Sequence, residues 1–238
     1  MAVKPVELAG TKILVTGPTG QVGLPVVEHY AKIADVHALA RFSKQDDIDR
    51  IEAMGATVIP GDYDYVLNFA VVKSGNFDYD LAANAEGLGN LMSQCSTVRA
   101  FLHISSTAVY EYNGHEPRKE SAPLGDNHRA MFPTYSISKI AAETVCRFVA
   151  RQRGIPCTIA RLNVPYGDNG GWMYFHMLMM QQGIPIDIHP DRPNCYNPIH
   201  VDDYIEKIPY LLGAASPQVT TTNFGGSQQA SIEQWCEL

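Results

Sequence analysis

The sequence predicts an α/β protein: a doubly wound parallel sheet with helices on both faces and a small C-terminal substrate lobe. Three observations carry this. Short apolar, β-branched runs alternate with helical stretches along most of the 238 residues. A glycine-rich turn directly follows the first of those runs. The hydrophobic content, 45%, suffices for one substantial core.

The elements follow in order. Lys12-Ile13-Leu14-Val15-Thr16 reads as a buried parallel strand. A helix runs from Gln21 to Ile33, with Pro25 in its first turn, where a missing N–H does no harm. Val36–Ala40 is a second strand, Gln45–Met54 a polar helix, Thr57–Pro60 a third strand and Val66–Ala70 a fourth. A helix over Leu81–Gln94, a strand at Ala100–Ile104, a helix over Tyr135–Gln152 and a strand at Thr158–Leu162 complete the alternation. This is a Rossmann-type domain over residues 9–165, to which 196–226 return; 166–195 and 227–238 form part of a substrate-binding lobe. One join is too short. Only Gly61–Tyr65 separates the third and fourth strands, whereas parallel neighbours need a crossover of about a dozen residues. Either the strand assignment fails there or a crossover helix is missing, and the second is expected. Trp235–Leu238 reads as the start of a helix, so a C-terminal piece is expected to be missing too.

Composition excludes several classes. The net charge of −7 gives no basic face for nucleic acid or an anionic membrane. No run of about 18 apolar residues spans a bilayer, and the N-terminus lacks the apolar core of a secretory signal. The five cysteines are widely spaced with no C-x-x-C pair, which favours neither a disulfide framework nor zinc and makes the cytoplasm the expected compartment.

Gly17-x-x-Gly20-x-x-Gly23 lies between a strand and a helix. Gly17 permits the sharp turn, Gly20 lets backbone N–H groups approach a pyrophosphate, and Gly23 lets the helix pack closely on the sheet. The alternative is an ordinary strand–helix turn. At the end of the second strand, where an acidic residue would select NAD, the sequence has Arg41-Phe42-Ser43-Lys44. Arg41 and Lys44 would grip a 2′-phosphate and Ser43 would add a hydrogen bond, so NADP is expected, with NAD second. Asp62, closing the third strand, is the candidate acceptor for the adenine amine.

Tyr135-Ser136-Ile137-Ser138-Lys139 opens a helix, and residues four apart share its face. A free tyrosine titrates near 10; a lysine cation and an oxidised nicotinamide would both favour its phenolate, letting Tyr135 take a proton from an alcohol or give one to a ketone. Ser105-Ser106 close a strand at its carboxyl end, the edge where open α/β sheets bind ligands, and Ser106 would orient the substrate oxygen. Each motif alone has a bland reading, as a chance helical pair or a strand-end cap; their order behind the glycine turn favours the functional one.

At this point the chain resembles the extended short-chain dehydrogenase/reductase superfamily, in its NAD-dependent epimerase/dehydratase branch. The resemblance rests on Thr16–Gly23, Asn68-Phe69-Ala70, Asn84–Leu91, Ser105–Tyr110, Tyr135-x-x-x-Lys139, Tyr166-Gly167 and Ile199–Asp203. It implies a bound NAD(P), with Thr19, Gln21, Val22, Tyr63, Phe69, Ala70, Ser105, Leu162 and Asn163 joining the cofactor side, Ser106, Tyr135 and Lys139 catalytic, and a homodimer through the helices over Leu81–Gln94 and Tyr135–Gln152. Thr107-Ala108 stand where dehydratases of this family carry an acidic pair, and Tyr196 stands where many nucleotide-sugar enzymes carry a phosphate-binding arginine.

The expected function is hydride transfer between NADP(H) and a secondary alcohol or ketone, the substrate being a small molecule. An epimerase of a sugar or sugar nucleotide and a non-catalytic NADP-binding scaffold are the alternatives. Ser106, Asn163 and Trp172 are candidate substrate contacts, with Gly170, Gly171 and Tyr174 near the same pocket. Met177, Met179 and Met180 form an apolar patch. Tyr112–Glu116 and Asp126–His128 read as solvated loops that would cover the site. His200 with Asp202 has no further ligand at metal spacing, so no metal is expected.

Overall fold

A computed structural model describes residues 2–42, 44–56, 62–95, 97–114 and 116–237. Among the described residues the centre is a six-stranded parallel sheet. The strands are β1 (Lys12–Thr16), β2 (Asp35–Leu39), β3 (Tyr65–Asn68), β4 (Ala100–Ser106), β5 (Cys157–Leu162) and, near the C-terminus, Thr220–Phe224, here β10. Their order is β10-β5-β4-β3-β1-β2, all pairs parallel. The chain therefore works outward in both directions from the β1/β3 junction, which leaves the carboxyl ends of those strands open to a ligand.

Helices cover both faces. α1 (Gly23–Tyr30), α2 (Gln45–Ala53) and α7 (Val201–Gly213) pack on one, where Val26, Val27, Ile51, Ile205 and Ile208 meet Ile13, Val15 and Leu102. On the other, α4 (Gly87–Gln94) and α5 (Tyr135–Arg153) bring Leu88, Met92, Cys146 and Ala150 onto Leu14, Val66, Phe101 and Ile159. Apolar burial on both faces explains why these strands read as continuous hydrophobic runs.

α5 runs 19 residues and ends at Gly154, whose φ of +69° makes the left-handed cap, with Arg151 and Arg153 in the last turn to complement the helix dipole. The helix expected over Leu81–Gln94 is subdivided: α3 (Phe77–Leu81) is joined to α4 by a π turn at Ala82–Glu86. That turn presents Asn84, whose side chain exchanges hydrogen bonds with both backbone groups of Val72 (2.7 and 2.6 Å) and donates to Ser138 Oγ at 3.0 Å. It pins the segment after β3 to α5.

The remaining elements are short: β6 (Pro165–Gly167), β7 (Gly170–Gly171), α6 (Trp172–Gln181), β8 (Cys195–Tyr196), β9 (Ile199–His200), β11 (Ala230–Ser231) and α8 (Ile232–Cys236). β6 pairs with β7 and β9, and β8 with β11. The helical start expected around Trp235 is α8, which opens at Ile232, where Ser231 and Gln234 form a capping box. The strand expected at Thr57–Pro60 lies outside the described residues. Among the described residues no helix is long and apolar enough to cross a membrane.

Candidate active site

The carboxyl ends of β1, β3 and β4 meet the amino end of α5. A polar chain crosses the first three: Thr16 Oγ1 donates to Asn68 Oδ1 (2.5 Å) and accepts from the Ala70 amide (3.2 Å), while Asn68 Nδ2 donates to His103 Nδ1 (2.8 Å). Burial pushes His103 well below the ordinary histidine value, aided by the Lys139 and Arg147 charges, so its ring is neutral and can accept at Nδ1.

The glycine turn has the tightness a phosphate cradle requires. Gly17 has φ +67°, and a Cβ there would lie 2.9 Å from the Ala70 backbone. At Gly23 a Cβ would stand 2.3 Å from the Gly17 carbonyl oxygen, closer than any side chain tolerates. Gly20 N donates to Gly17 O at 3.2 Å, closing the loop on itself in front of α1. These residues fit a dinucleotide pyrophosphate: backbone at the surface, no side chain in the way and a helix N-terminus behind. Thr19 and Gln21 are exposed here, Phe69 is buried and Ala70 faces outward. Gln21 is also tied to the 165–170 segment, its carbonyl accepting from Asn169 Nδ2 at 2.6 Å. Val22 packs into the α1 side of the core, and its carbonyl accepts from Tyr204 Oη at 3.2 Å.

Arg41 follows β2 and donates from Nη1 to Tyr79 Oη at 2.5 Å, reaching from the strand end to α3. Lys44 is exposed at the start of α2; Ser43 lies outside the described residues.

Asp62 and Tyr63 are not brought to the site. They precede β3, whose amino end lies beside Lys12: the Asp64 amide donates to Lys12 O (2.8 Å), and the Tyr63 ring packs edge-on against His37 at 5.3 Å. Parallel strands share a direction, so residues that open β3 sit on the edge opposite the glycine turn. The strand that Asp62 is expected to close, Thr57–Pro60, lies outside the described residues, and the structure places Asp62 only ahead of β3.

Ser106, Tyr135 and Lys139 do converge. Ser106 ends β4; its Oγ accepts from the Ala108 amide at 3.1 Å and hydrogen-bonds the Tyr135 hydroxyl. Burial pushes the Tyr135 phenol above its ordinary value and the Ser106 hydrogen bond opposes this, so without a bound cofactor the hydroxyl is held protonated. Lys139, one turn along α5, is buried and donates from Nζ to the Ile104 carbonyl at 2.8 Å. Burial lowers its pKa to about 8, partly offset by the Glu143 carboxylate.

Ser105 does not face the cofactor edge as expected. Its hydroxyl donates to buried Glu143 at 2.6 Å, because alternate residues of a strand point to opposite faces. Glu143 also takes two hydrogen bonds from Arg161 on β5 (2.9 and 2.8 Å), and Arg161 Nη1 reaches Tyr110 Oη at 2.9 Å. Sequence reading missed this buried pair, whose partners lie on separate elements. Leu162 pairs in register with Ser106; Asn163 follows it, its Oδ1 accepting from the Val164 amide at 2.8 Å.

His128 lies closer to the chemistry than a solvated loop would place it. Its ring centroid is 6.2 Å from that of Tyr135 and 6.3 Å from that of Trp172. His200, considered as half a metal site, is the N-cap of α7, with Nδ1 accepting from the Asp202 amide.

A strand–glycine turn–helix unit ahead of a Ser–Tyr–Lys cluster on the same sheet edge defines an enzyme of the extended short-chain dehydrogenase type. The chain belongs to the NAD dependent epimerase/dehydratase family, which residues 13–225 match. Among curated proteins it is similar to a probable GDP-L-fucose synthase 1 of Oryza sativa subsp. japonica, at 22% identity over 96% of this chain and 76% of that protein. Among solved structures it is similar to the UDP-N-acetylglucosamine 4-epimerase of Methanobrevibacter ruminantium M1, solved with UDP-N-acetylmuramic acid (TM-score 0.77, 18% identity, 97% of this chain and 81% of that one). The UDP-glucuronic acid 4-epimerase of Bacillus cereus, solved with UDP-glucuronic acid and NAD, gives a TM-score of 0.73 at 21% identity over 94% of this chain and 80% of that one. The dTDP-glucose 4,6-dehydratase of Bacillus anthracis, solved with NAD, gives 0.75 at 19% over 96% and 79%. At these identities the structures share the fold.

Proposed function

We propose that this protein transfers hydride between NADP(H) and a secondary alcohol or ketone through Ser106, Tyr135 and Lys139. The observation that carries the reading is the Ser106–Tyr135 hydrogen bond, with the buried Lys139 ammonium one helical turn away. Gly17, Gly20 and Gly23 would hold the pyrophosphate, with Thr19, Gln21, Val22, Phe69 and Ala70 around it and Leu162 and Asn163 toward the nicotinamide. Arg41, Ser43 and Lys44 would select the 2′-phosphate, since guanidinium and ammonium groups pair with phosphate where a carboxylate would repel it; NAD is second choice.

The nicotinamide, when bound, supplies or accepts the hydride. In ketone reduction Tyr135 Oη gives its proton to the carbonyl oxygen as hydride reaches the carbon, and Ser106 Oγ donates a hydrogen bond to the same oxygen. Lys139 stabilises the phenolate left behind. Alcohol oxidation runs the same transfers in reverse. The segments 166–195 and 227–238 form the substrate lobe. The five cysteines are free thiols, which suits a reducing cytoplasm.

Oxidation and re-reduction of a single carbon, an epimerisation, is the second reading. It is favoured by relatives that act on sugar nucleotides and would consume no external coenzyme. Dehydration is disfavoured because Thr107 and Ala108, following Ser106, offer no carboxyl group.

Tyr135→Phe tests the assignment. Titrated with NADPH and then NADH, the variant binds NADPH as the parent does and NADH more weakly, while ketone turnover falls roughly 10²–10⁴-fold. Normal turnover by the variant excludes Tyr135 as the acid. Preference for NADH demotes Arg41 and Lys44 to surface charges.

A further inference from the structure

α6 is an apolar helix, Trp172-Met173-Tyr174-Phe175-His176-Met177-Leu178-Met179-Met180-Gln181, yet it contains no buried residue. A helix of this composition inside a folded domain ordinarily buries a face. Its first residue, Trp172, is the middle of a continuous run of rings. Toward the catalytic side lies His128, 6.3 Å away, and beyond it Tyr135 at a further 6.2 Å. Away from it lie Tyr196, edge-on at 5.6 Å, then Trp235 at 6.2 Å from Tyr196. Trp235 is buried and fixed, its Nε1 donating to His176 Nδ1 at 3.0 Å. Thus Trp235 and His176 form a rigid backing, while Trp172, Tyr196 and His128 keep part of their surface open.

We infer that the substrate carries a planar aryl ring joined to the reacting carbon directly or through one or two bonds, with Trp172 and His128 forming the surface it packs against. This rests on the hydride-transfer reading above and names the substrate class for it. Geometry sets the length. Reaction requires the substrate carbon about 3–3.5 Å from its partners at Tyr135, and Trp172 is only two ring steps from the Tyr135 ring. A ring carried on the reacting carbon reaches that platform. A nucleobase separated from the carbon by a sugar and a diphosphate is carried past it. Chemistry sets the character. The rings facing this space offer π faces and edges, which attract other rings in offset or edge-on arrangements. Burial and the Lys73 charge hold His128 below its ordinary pKa, against the pull of Asp126, so it adds an uncharged ring. The cation that contacts this run among the described residues, Lys73, lies over Phe132 at 4.2 Å, and none of the run is itself Lys or Arg. An aryl group packs on these rings without needing a counter-charge.

The test measures binding to the NADP⁺-loaded protein by calorimetry, using 2-acetylnaphthalene, cyclohexyl methyl ketone and UDP-glucose. Naphthyl ketone is expected to bind at least tenfold more tightly than the saturated ketone and without competition from UDP-glucose. Trp172→Ala should weaken the naphthyl ketone about tenfold or more with NADP⁺ affinity unchanged, and Trp172→Phe should restore most of it. Equal affinity for aryl and saturated ketones in the unaltered protein overturns the inference, as does tight UDP-glucose binding that excludes the naphthyl ketone. If Trp172→Ala does not fold, that ligand comparison still decides. Naphthyl ketone that binds through Trp172 but is not reduced when NADPH replaces NADP⁺ sinks the hydride-transfer reading and leaves the aryl site standing. Turnover of saturated ketones or sugar nucleotides with no aryl preference does the reverse.

Discussion

Lys139 carries a charge that its surroundings oppose. Burial removes the ammonium from water; the Ile104 carbonyl and the Glu143 carboxylate replace only part of that hydration, leaving a pKa of about 8 against an ordinary 10.5. A depression of that size corresponds to roughly 3 kcal/mol of folding stability given up at neutral pH. The sign follows from the protons bound. Below pH 8 both folded and unfolded chains hold the lysine proton and the loss is complete. Between 8 and 10.5 the folded chain gives up its proton first, and the loss fades. A site that accepts such a residue keeps it for a reason other than stability; under the proposed mechanism that reason is the charge it would supply to Tyr135. Urea unfolding of the cofactor-free chain and of Lys139→Met checks this. The variant should be more stable than the parent at pH 7 by up to about 3 kcal/mol, with most of that gain gone at pH 10. A difference that does not vary with pH would show that the ammonium is not desolvated as described.

At the level of elements, α5 is fastened to the sheet through charge. Glu143 is buried beneath it. Burial pushes its carboxyl up, but hydrogen bonds from Arg161 and Ser105, with the charges of Arg161 and Arg147, hold it below its ordinary value. Arg161 extends the fastening to Tyr110, and Tyr110 Oη reaches Asn223 on β10. The same helix carries Tyr135 and Lys139, so this pair sets where the proposed catalytic face sits on β4. Glu143→Gln keeps the shape but leaves Arg161 buried without its counter-charge, and should lower stability by about 3–5 kcal/mol, with Arg161→Met in the same chain recovering part of it. Denaturation midpoints of the two variants decide; a loss below 1 kcal/mol for Glu143→Gln would mean that water reaches the pair. This arrangement also marks what the sequence could reveal. β1, its glycine turn and the Tyr135–Lys139 spacing are local patterns, and the structure places them at one edge. Glu143 with Arg161, and Trp172 with Tyr196 and Trp235, come from distant segments with no shared period, so nothing in the linear chain pairs them. The Ser105-Ser106 doublet at a strand end does not reveal which hydroxyl faces which way, and the structure turns that of Ser105 to Glu143. The reading of Asp62 depends on a strand at Thr57–Pro60, which lies outside the described residues.

For the whole molecule, the outer surface of the α4–α5 pair is the feature a second copy would use. Gly89 brings the helices close, since a Cβ there would stand 2.9 Å from Val145 Cγ1. Beside that contact α5 turns outward, exposing 65% of Phe148 between Arg147 and Arg151, with Thr144 and Gln152 completing a shallow apolar depression. An isologous dimer would present the same depression twice and bury both phenylalanines, removing apolar surface from water that the single chain leaves exposed. Because Tyr135 and Lys139 lie on the same helix, such a dimer would also brace the catalytic face from behind. We therefore expect the purified chain to sediment at twice its own mass. Phe148→Glu would remove the apolar contact and require two carboxylates to give up water in the interface, and should yield a monomer. As Phe148 touches little within its own chain, the fold and NADPH affinity of that monomer should stay near the parent's, within about 0.5 kcal/mol. Sedimentation equilibrium of both proteins decides the matter: a monomeric parent, or a Phe148→Glu variant that stays dimeric, would remove this face from consideration and leave Phe148 as a solitary exposed ring.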